Sequence, residues 1–312
     1  MYLPYLRGKQ FELLALRELV SLPLLNNKIS PIIEPVKKDL KSIETAIKAL
    51  HGISLPVQLI INPEHGDLKA DRTPIFEALE RLRMGGYDNV VPTFLIGNER
   101  DYGFFSTYAV TNGFLQTGYS LIHLNQIPSS AALKTITNGT NLQYNIIHVN
   151  HLIALRRGFT NGNLGFLSDP FNRQKKNADY ENLEDEIFSS DCFFYRAEGF
   201  LAFADYLTIG SDYIEGGMLP YAVVIHLTYK DPHNDEIRIK HFLSDSNQDS
   251  SDTAGKFYEA LGKLVAFIDQ ENINSIACGQ FRDYYNRGAF PGLGVIKKLS
   301  IMHHIELVQG LI

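Results

Sequence analysis

The feature that most constrains this chain is a regular alternation. Through the first three quarters of the sequence, short apolar runs are each followed by a stretch with helical spacing. A strand feeding a helix that returns to a neighbouring strand makes βαβ units and a parallel sheet. Strands are expected over residues 2–6, 32–36, 57–62, 90–96, 119–125, 144–150, 164–168 and 222–229. Helices are expected over 10–20, 42–50, 74–83, 102–110, 128–137 and 151–157. The first carries Phe11, Leu14, Ala15 and Leu19 on one face, the second Ile43, Ala46, Ile47 and Leu50. Pro74 suits a helix start, because it lacks only a donor that would be unpaired there. The stretch 182–204 is mixed and reads as helical in large part. Eight such strands fit a closed (β/α)8, TIM-like barrel, with an open doubly wound sheet as the alternative.

Beyond the eighth expected strand the pattern changes. A turn-rich stretch, 230–235, precedes an alternating run over 236–243 that reads as an antiparallel partner. An amphipathic helix follows over 253–269, with Phe257, Leu261, Leu264, Val265 and Ile268 on its apolar face. No low-complexity run or linker separates these parts. The expectation is one domain over 1–312, with the barrel at about 1–270 and a C-terminal extension, hairpin plus helices, at about 271–312.

Charge and cysteine content narrow the function classes. The chain has 29 basic and 35 acidic residues and a net charge of −6, which argues against direct nucleic-acid binding and against a membrane surface. The two cysteines, Cys192 and Cys278, form neither a disulfide framework nor a zinc motif and read as buried thiols in a reducing compartment. The opening residues do not resemble a signal peptide, and no run of about 18 apolar residues occurs, so the expected address is cytoplasmic.

Several strands end alike. Leu121-Ile122-His123-Leu124-Asn125 parallels Ile146-Ile147-His148-Val149-Asn150, Leu59-Ile60-Ile61-Asn62 ends the same way, and Val224-Ile225-His226-Leu227-Thr228 keeps the histidine. Side chains alternate faces along a strand. If the apolar set packs on helices, His123, Asn125, His148, Asn150, His226, Gln58, Asn62, Glu34 and Thr93 point into the barrel. A hydrogen-bonded core network is the competing reading. The three histidines could hold a divalent metal, although no His-x-His or His-Glu-x-x-His spacing is present.

Glu34, Asp169 and His148 are the candidate catalytic residues, because carboxylates and imidazoles at strand ends can move protons or hold a metal against phosphate. Arg7 and Lys9 could grip an anion. Asn62, Asn125, Asn150, Asp205 and His226 complete the candidate ligand-binding set, and Asp212 could line the same mouth. Each carboxylate could equally fix a loop or cap a helix. Arg173, Lys175 and Lys176 read as a solvated basic face, and of His303 and His304 one is expected buried, the other exposed. Neither a phosphate-cradling Gly-x-x-x-x-Gly-Lys motif nor a Gly-x-Ser-x-Gly elbow occurs.

The run from Tyr2 to Leu13, Tyr-Leu-Pro-Tyr-Leu-Arg-Gly-Lys-Gln-Phe-Glu-Leu, with Ala15-Leu16-Arg17-Glu18-Leu19 after it, resembles the bacterial and phage "beta family protein" group. Similar motifs are Ile29-Ser30-Pro31-Ile32-Ile33-Glu34-Pro35, Phe203-Ala204-Asp205-Tyr206 and His303-His304. The matching positions include Arg7, Lys9, Glu12, Glu34, Asp205, His303 and His304. The resemblance implies a barrel-like fold and a phage-defence gene neighbourhood with a nuclease-like protein partner. It supplies no activity and no catalytic residues. Two expectations follow: a ligand-sensing component of a defence system, or a hydrolase or phosphodiesterase working at the barrel mouth.

Overall fold

In the computed structural model, which describes residues 1–159, 162–216 and 221–312, β1 (Tyr2–Leu6) opens a closed, all-parallel barrel. The ring continues through β2 (Ile32–Ile33), β3 (Val57–Ile60), β4 (Val90–Ile96), β5 (Tyr119–His123), β6 (Leu142–His148) and β7 (Leu164–Ser168). Its eighth strand is β9 (Ala202–Asp205), which closes on β1 through Tyr2↔Phe203, Leu3↔Ala204 and Pro4↔Asp205. The expected TIM-like barrel is therefore present.

Its expected eighth strand is not. Residues 222–229 lie outside the barrel, and 182–204 contains strands where a helix was read. The true closing strand is four residues of Ala-Phe-Ala-Asp, three of them types with weak strand preference, and it left no signal against a helical background.

The chain forms two compact units. The first comprises Met1–Leu13, Leu25–Ser168 and Phe194–Asp205; the second comprises Leu14–Leu24, Asp169–Phe193 and Tyr206–Ile312. Helix α1 (Gln10–Ser21) carries the chain from one into the other. The barrel helices are α2 (Lys41–His51), α3 (Thr73–Met84), α4 (Glu99–Thr111), α5 (Phe114–Thr117), α6 (Ser130–Thr137) and α7 (Leu152–Arg156). Helix α2 buries the expected stripe of Ile43, Ala46, Ile47 and Leu50. Helix α4 starts at a capping box in which Asn98 and Asp101 exchange backbone hydrogen bonds.

The faces of the strands follow from their partners. Thr93 donates to Gln58 and Gln58 to Ser30, whereas the next residue, Phe94, meets Phe105 of α4 edge-on at 5.0 Å. Gln58 and Thr93 thus face the barrel interior, as expected. His123 does not. Its ring lies 5.2 Å from Phe159, which clusters with Ile147 and Leu155 of α7, so His123 points to the helical layer. The apolar Ile122 and Ile146 take the inward phase instead. Both faces of a barrel strand are buried, so apolarity alone does not mark the outer one.

The second unit is built on an antiparallel sheet of order β10-β11-β8, with β8 (Asp185–Ser189), β10 (Val224–Lys230) and β11 (Ile237–Leu243). The antiparallel partner expected over 236–243 is β11, which pairs with β10, and the turn between them is held by Asp231, which accepts from the backbone N–H of His233 and Asn234. After the short α8 (Asp191–Phe194), the helices are α9 (Thr253–Gln270), capped by Asp252, α10 (Ile276–Arg287), capped by Ser275, and α11 (Leu293–Leu311). Phe267 of α9 packs on Tyr229 and Phe242. On α11, His304 bonds Thr228 at 3.0 Å, and His303 donates to the Thr228 carbonyl at 2.6 Å and accepts from Ser275 at 2.8 Å. Both histidines are buried, against the expectation that one would be exposed. Both cysteines are buried thiols. Among the described residues no helix is long and apolar enough to cross a membrane.

Two buried imidazoles make stability depend on acid. Burial, against the hydrogen bond to Asn145, lowers His123 from 6.5 to about 4, and burial also lowers His303 to about 4. Each stays neutral when folded and takes a proton when unfolded, so its contribution is complete above pH 6.5 and is lost as pH falls towards 4. Each is expected to cost on the order of 2 kcal/mol between pH 6.5 and 5. Urea unfolding at both values checks this, and a stability unchanged across the interval would contradict it. The His123→Gln variant should show a shallower dependence.

Candidate functional site

At the end of β2, Glu34 is fully buried and saturated with partners. Its Oε1 accepts from the backbone N–H of Glu64 at 2.9 Å and of His65 at 3.1 Å, and lies 3.1 Å from His65 Nδ1. Its Oε2 lies 3.0 Å from Arg7 Nε and accepts from Tyr5 at 3.1 Å. Burial alone would raise its pKa, but the His65 bond, the Arg7 charge and the Glu64 N–H outweigh it and hold the carboxyl below its usual range. Gly66 makes the enclosing loop possible: at φ +72 a Cβ there would sit 2.0 Å from the Val36 carbonyl. Glu34 ties β1, β2 and the loop after β3 together. A charged carboxylate so fully bonded is a poor proton acceptor.

The other expected barrel residues are engaged locally. Glu12 accepts from the Arg7 N–H, and the Lys9 carbonyl accepts from Glu12 and Leu13 at the start of α1. Asp205 accepts from Tyr2 at 2.7 Å. Asn125 donates to the Gly97 carbonyl at 3.1 Å, and half-buried His148 accepts from the N–H of exposed Asn150 at 3.3 Å. Of the expected set, Arg7 and Glu34 meet. Asn62 explains the repeated strand-end asparagine: its amide both donates to the Leu95 carbonyl and accepts from the Leu95 N–H, each at 2.8 Å. The side chain thus extends the ladder past the end of β3. Asn62→Ala strands both buried backbone groups and is expected to cost about 2–4 kcal/mol. An unfolding midpoint equal to wild type would contradict that role.

Two expected residues belong to the second unit. Asp169 accepts from the Ser211 N–H at 2.9 Å and so fixes a loop. His226 lies on β10, in the antiparallel sheet, and not on the barrel strand expected there. Among the described residues no group of three His, Cys, Asp or Glu side chains is placed to hold a metal ion.

His226 instead lines a cavity of about 580 Å³ within the second unit. Arg173, Lys175 and Lys297 bring three cations to this cavity, and Asp212 brings the one carboxylate among the described lining residues. Arg173 is set by the loop after β7, where its guanidinium donates to the Asp212 carbonyl at 3.3 Å; Lys297 comes from α11. Phe171 and Tyr180 wall the histidine, with ring centroids 5.0 and 4.8 Å from it.

Behind His226 runs a chain of polar groups across the sheet. The register pairs His226 with His241, and their Nδ1 atoms are 2.7 Å apart. His241 Nε2 lies 3.2 Å from Glu186 Oε1, and Asn172 donates to Glu186 Oε2 at 3.0 Å. A carboxylate only accepts, so His241 carries its proton on Nε2 and accepts at Nδ1. His226 must then donate from Nδ1, and the nitrogen it offers to the cavity is Nε2 with a lone pair. Burial first, then the neighbouring His241 and Arg173, push His226 well below 6.5; burial also lowers His241, although Glu186 opposes it. The result is a neutral, oriented imidazole facing cations.

No protein-family model matches the chain, and no curated protein is significantly similar to it. The cavity is therefore read from its own geometry. Sequence reasoning named His226, Arg173, Lys175 and Asp212 but placed the histidine in the barrel and the basic run on a solvated face. It missed Lys297, His241 and Glu186. The alternation in 236–243 puts His241 opposite His226 once the hairpin is accepted, and that was the available signal.

Proposed function

We propose that this protein binds a small anionic ligand in the cavity of its second unit, as the ligand-sensing component of a defence assembly. The observation that carries the binding reading is the gathering of Arg173, Lys175 and Lys297 around a neutral, oriented His226 in a chain of net charge −6. Cations collected in a concave site raise the local concentration of anions. The test is calorimetric titration with pyrophosphate at low salt. Saturable one-to-one binding that weakens as sodium chloride is added is expected, and a lack of saturation would remove the reading. The sequence resemblance supports a nuclease-like partner. Failure to co-purify with the product of the neighbouring gene would count against that part alone.

The Glu186, His241 and His226 series favours a second reading, a hydrolase acting on the same ligand. Carboxylate-oriented imidazole is the arrangement of a general base. Release of 4-nitrophenolate from 4-nitrophenyl phosphate should then fall to background in His226→Gln. Wild-type protein no faster than that variant would leave binding as the role.

A further inference from the structure

We infer that the cavity is specific for a terminal phosphoryl group, a phosphate monoester rather than a diester, bound against His226 Nε2 with a proton shared between the two. The inference rests on the anion-binding reading and goes on to name the ligand class.

The first argument is the tautomer. With Nδ1 committed to His241, His226 presents an acceptor to the cavity. A carboxylate or phosphodiester at neutral pH also presents only acceptors, and two acceptors repel. A monoester titrates near pH 6. It can bring the missing proton, or its second negative charge can draw that proton from water onto Nε2.

The second argument is charge and shape. A monoester offers three equatorial oxygens and up to two negative charges. Arg173, from the loop after β7, and Lys297, from α11, come from different elements, so together with His226, once it holds the shared proton, they supply three donors from separate elements. A singly charged diester, with one oxygen more in an ester link, uses this set less well.

The third argument is what stands behind the imidazole. A lone imidazolium beside Arg173 would be opposed by like charge. Here the added positive charge reaches Glu186 through His241. The groups that set the balance at His226 are Arg173, Tyr180, Glu186, Asp212, His241 and Lys297. In the free protein His226 is neutral; the bound dianion favours its protonated form. Binding a dianion therefore takes up a proton, and affinity rises as pH falls towards the ligand's own titration.

The experiment compares phenyl phosphate with methyl phenyl phosphate by calorimetry at pH 7.5, in two buffers of different ionisation enthalpy, with pyrophosphate as the reference anion. Phenyl phosphate is expected to bind at least about tenfold more tightly, with uptake of close to one proton. In His226→Gln the uptake and the preference should both disappear. Equal affinity for the two esters without proton uptake would overturn the phosphoryl assignment and leave the anion site standing, as would uptake that persists in His226→Gln. No binding of either ester or of pyrophosphate would overturn both.

Discussion

Glu34→Gln is expected to destabilise the barrel unit by about 3–5 kcal/mol, because it breaks a buried ion pair from one side. The amide keeps one acceptor oxygen and introduces an NH2 group. With that group at the Oε2 position, it faces the Arg7 guanidinium and the Tyr5 hydroxyl, which converge there. With the group at the Oε1 position, it faces the backbone N–H groups of Glu64 and His65. In either orientation donors meet donors, and buried Arg7 loses the charge of Glu34. Burying a neutral amide costs less than burying a carboxylate, which offsets part of the loss. Urea unfolding at pH 7 measures the effect, and an unchanged midpoint would show that the Glu34 contacts contribute little.

Arg173→Glu combined with Lys297→Glu is expected to lower pyrophosphate affinity at least about a hundredfold, since two attractive charges become repulsive at a cavity that holds the ligand between them. Arg173 is exposed and Lys297 only half-buried, so the unfolding midpoint should stay close to wild type. Calorimetry reads the affinity, and circular dichroism confirms the fold. Affinity retained within about threefold would place the anion elsewhere.

The barrel was legible because its signal is repeated. Seven of its strands coincide with apolar runs, and α2 and α9 with clear helical stripes. What failed was local. Ala202 to Asp205 is too short, and three of its four residues too weak in strand preference, to announce a closing strand. The longer, strongly β-branched run at Val224 reads more like one, although it belongs to an antiparallel sheet. Strand phase failed at His123 because both sides of a barrel strand are buried.

The site was less legible for a related reason. His226, His241 and Glu186 lie on three different strands, and only their register brings them together. Glu186 gave no hint of this, since Asp-Glu-Ile-Phe-Ser reads as part of a helical stretch. The conspicuous residues Glu34 and Asn62 turned out to be tied into the barrel's own hydrogen bonding.

The central claim is that an anion binds against His226. Imidazole nitrogen NMR of the ¹⁵N-labelled protein, recorded at pH 7 while pyrophosphate is added, tests it most directly. Without ligand, His226 should show a protonated Nδ1 and an unprotonated Nε2. With pyrophosphate, the Nε2 resonance should move to the protonated position, with a smaller shift at His241 and none at His123 or His303. A titration that saturates while both His226 nitrogens keep their resonances would contradict the account.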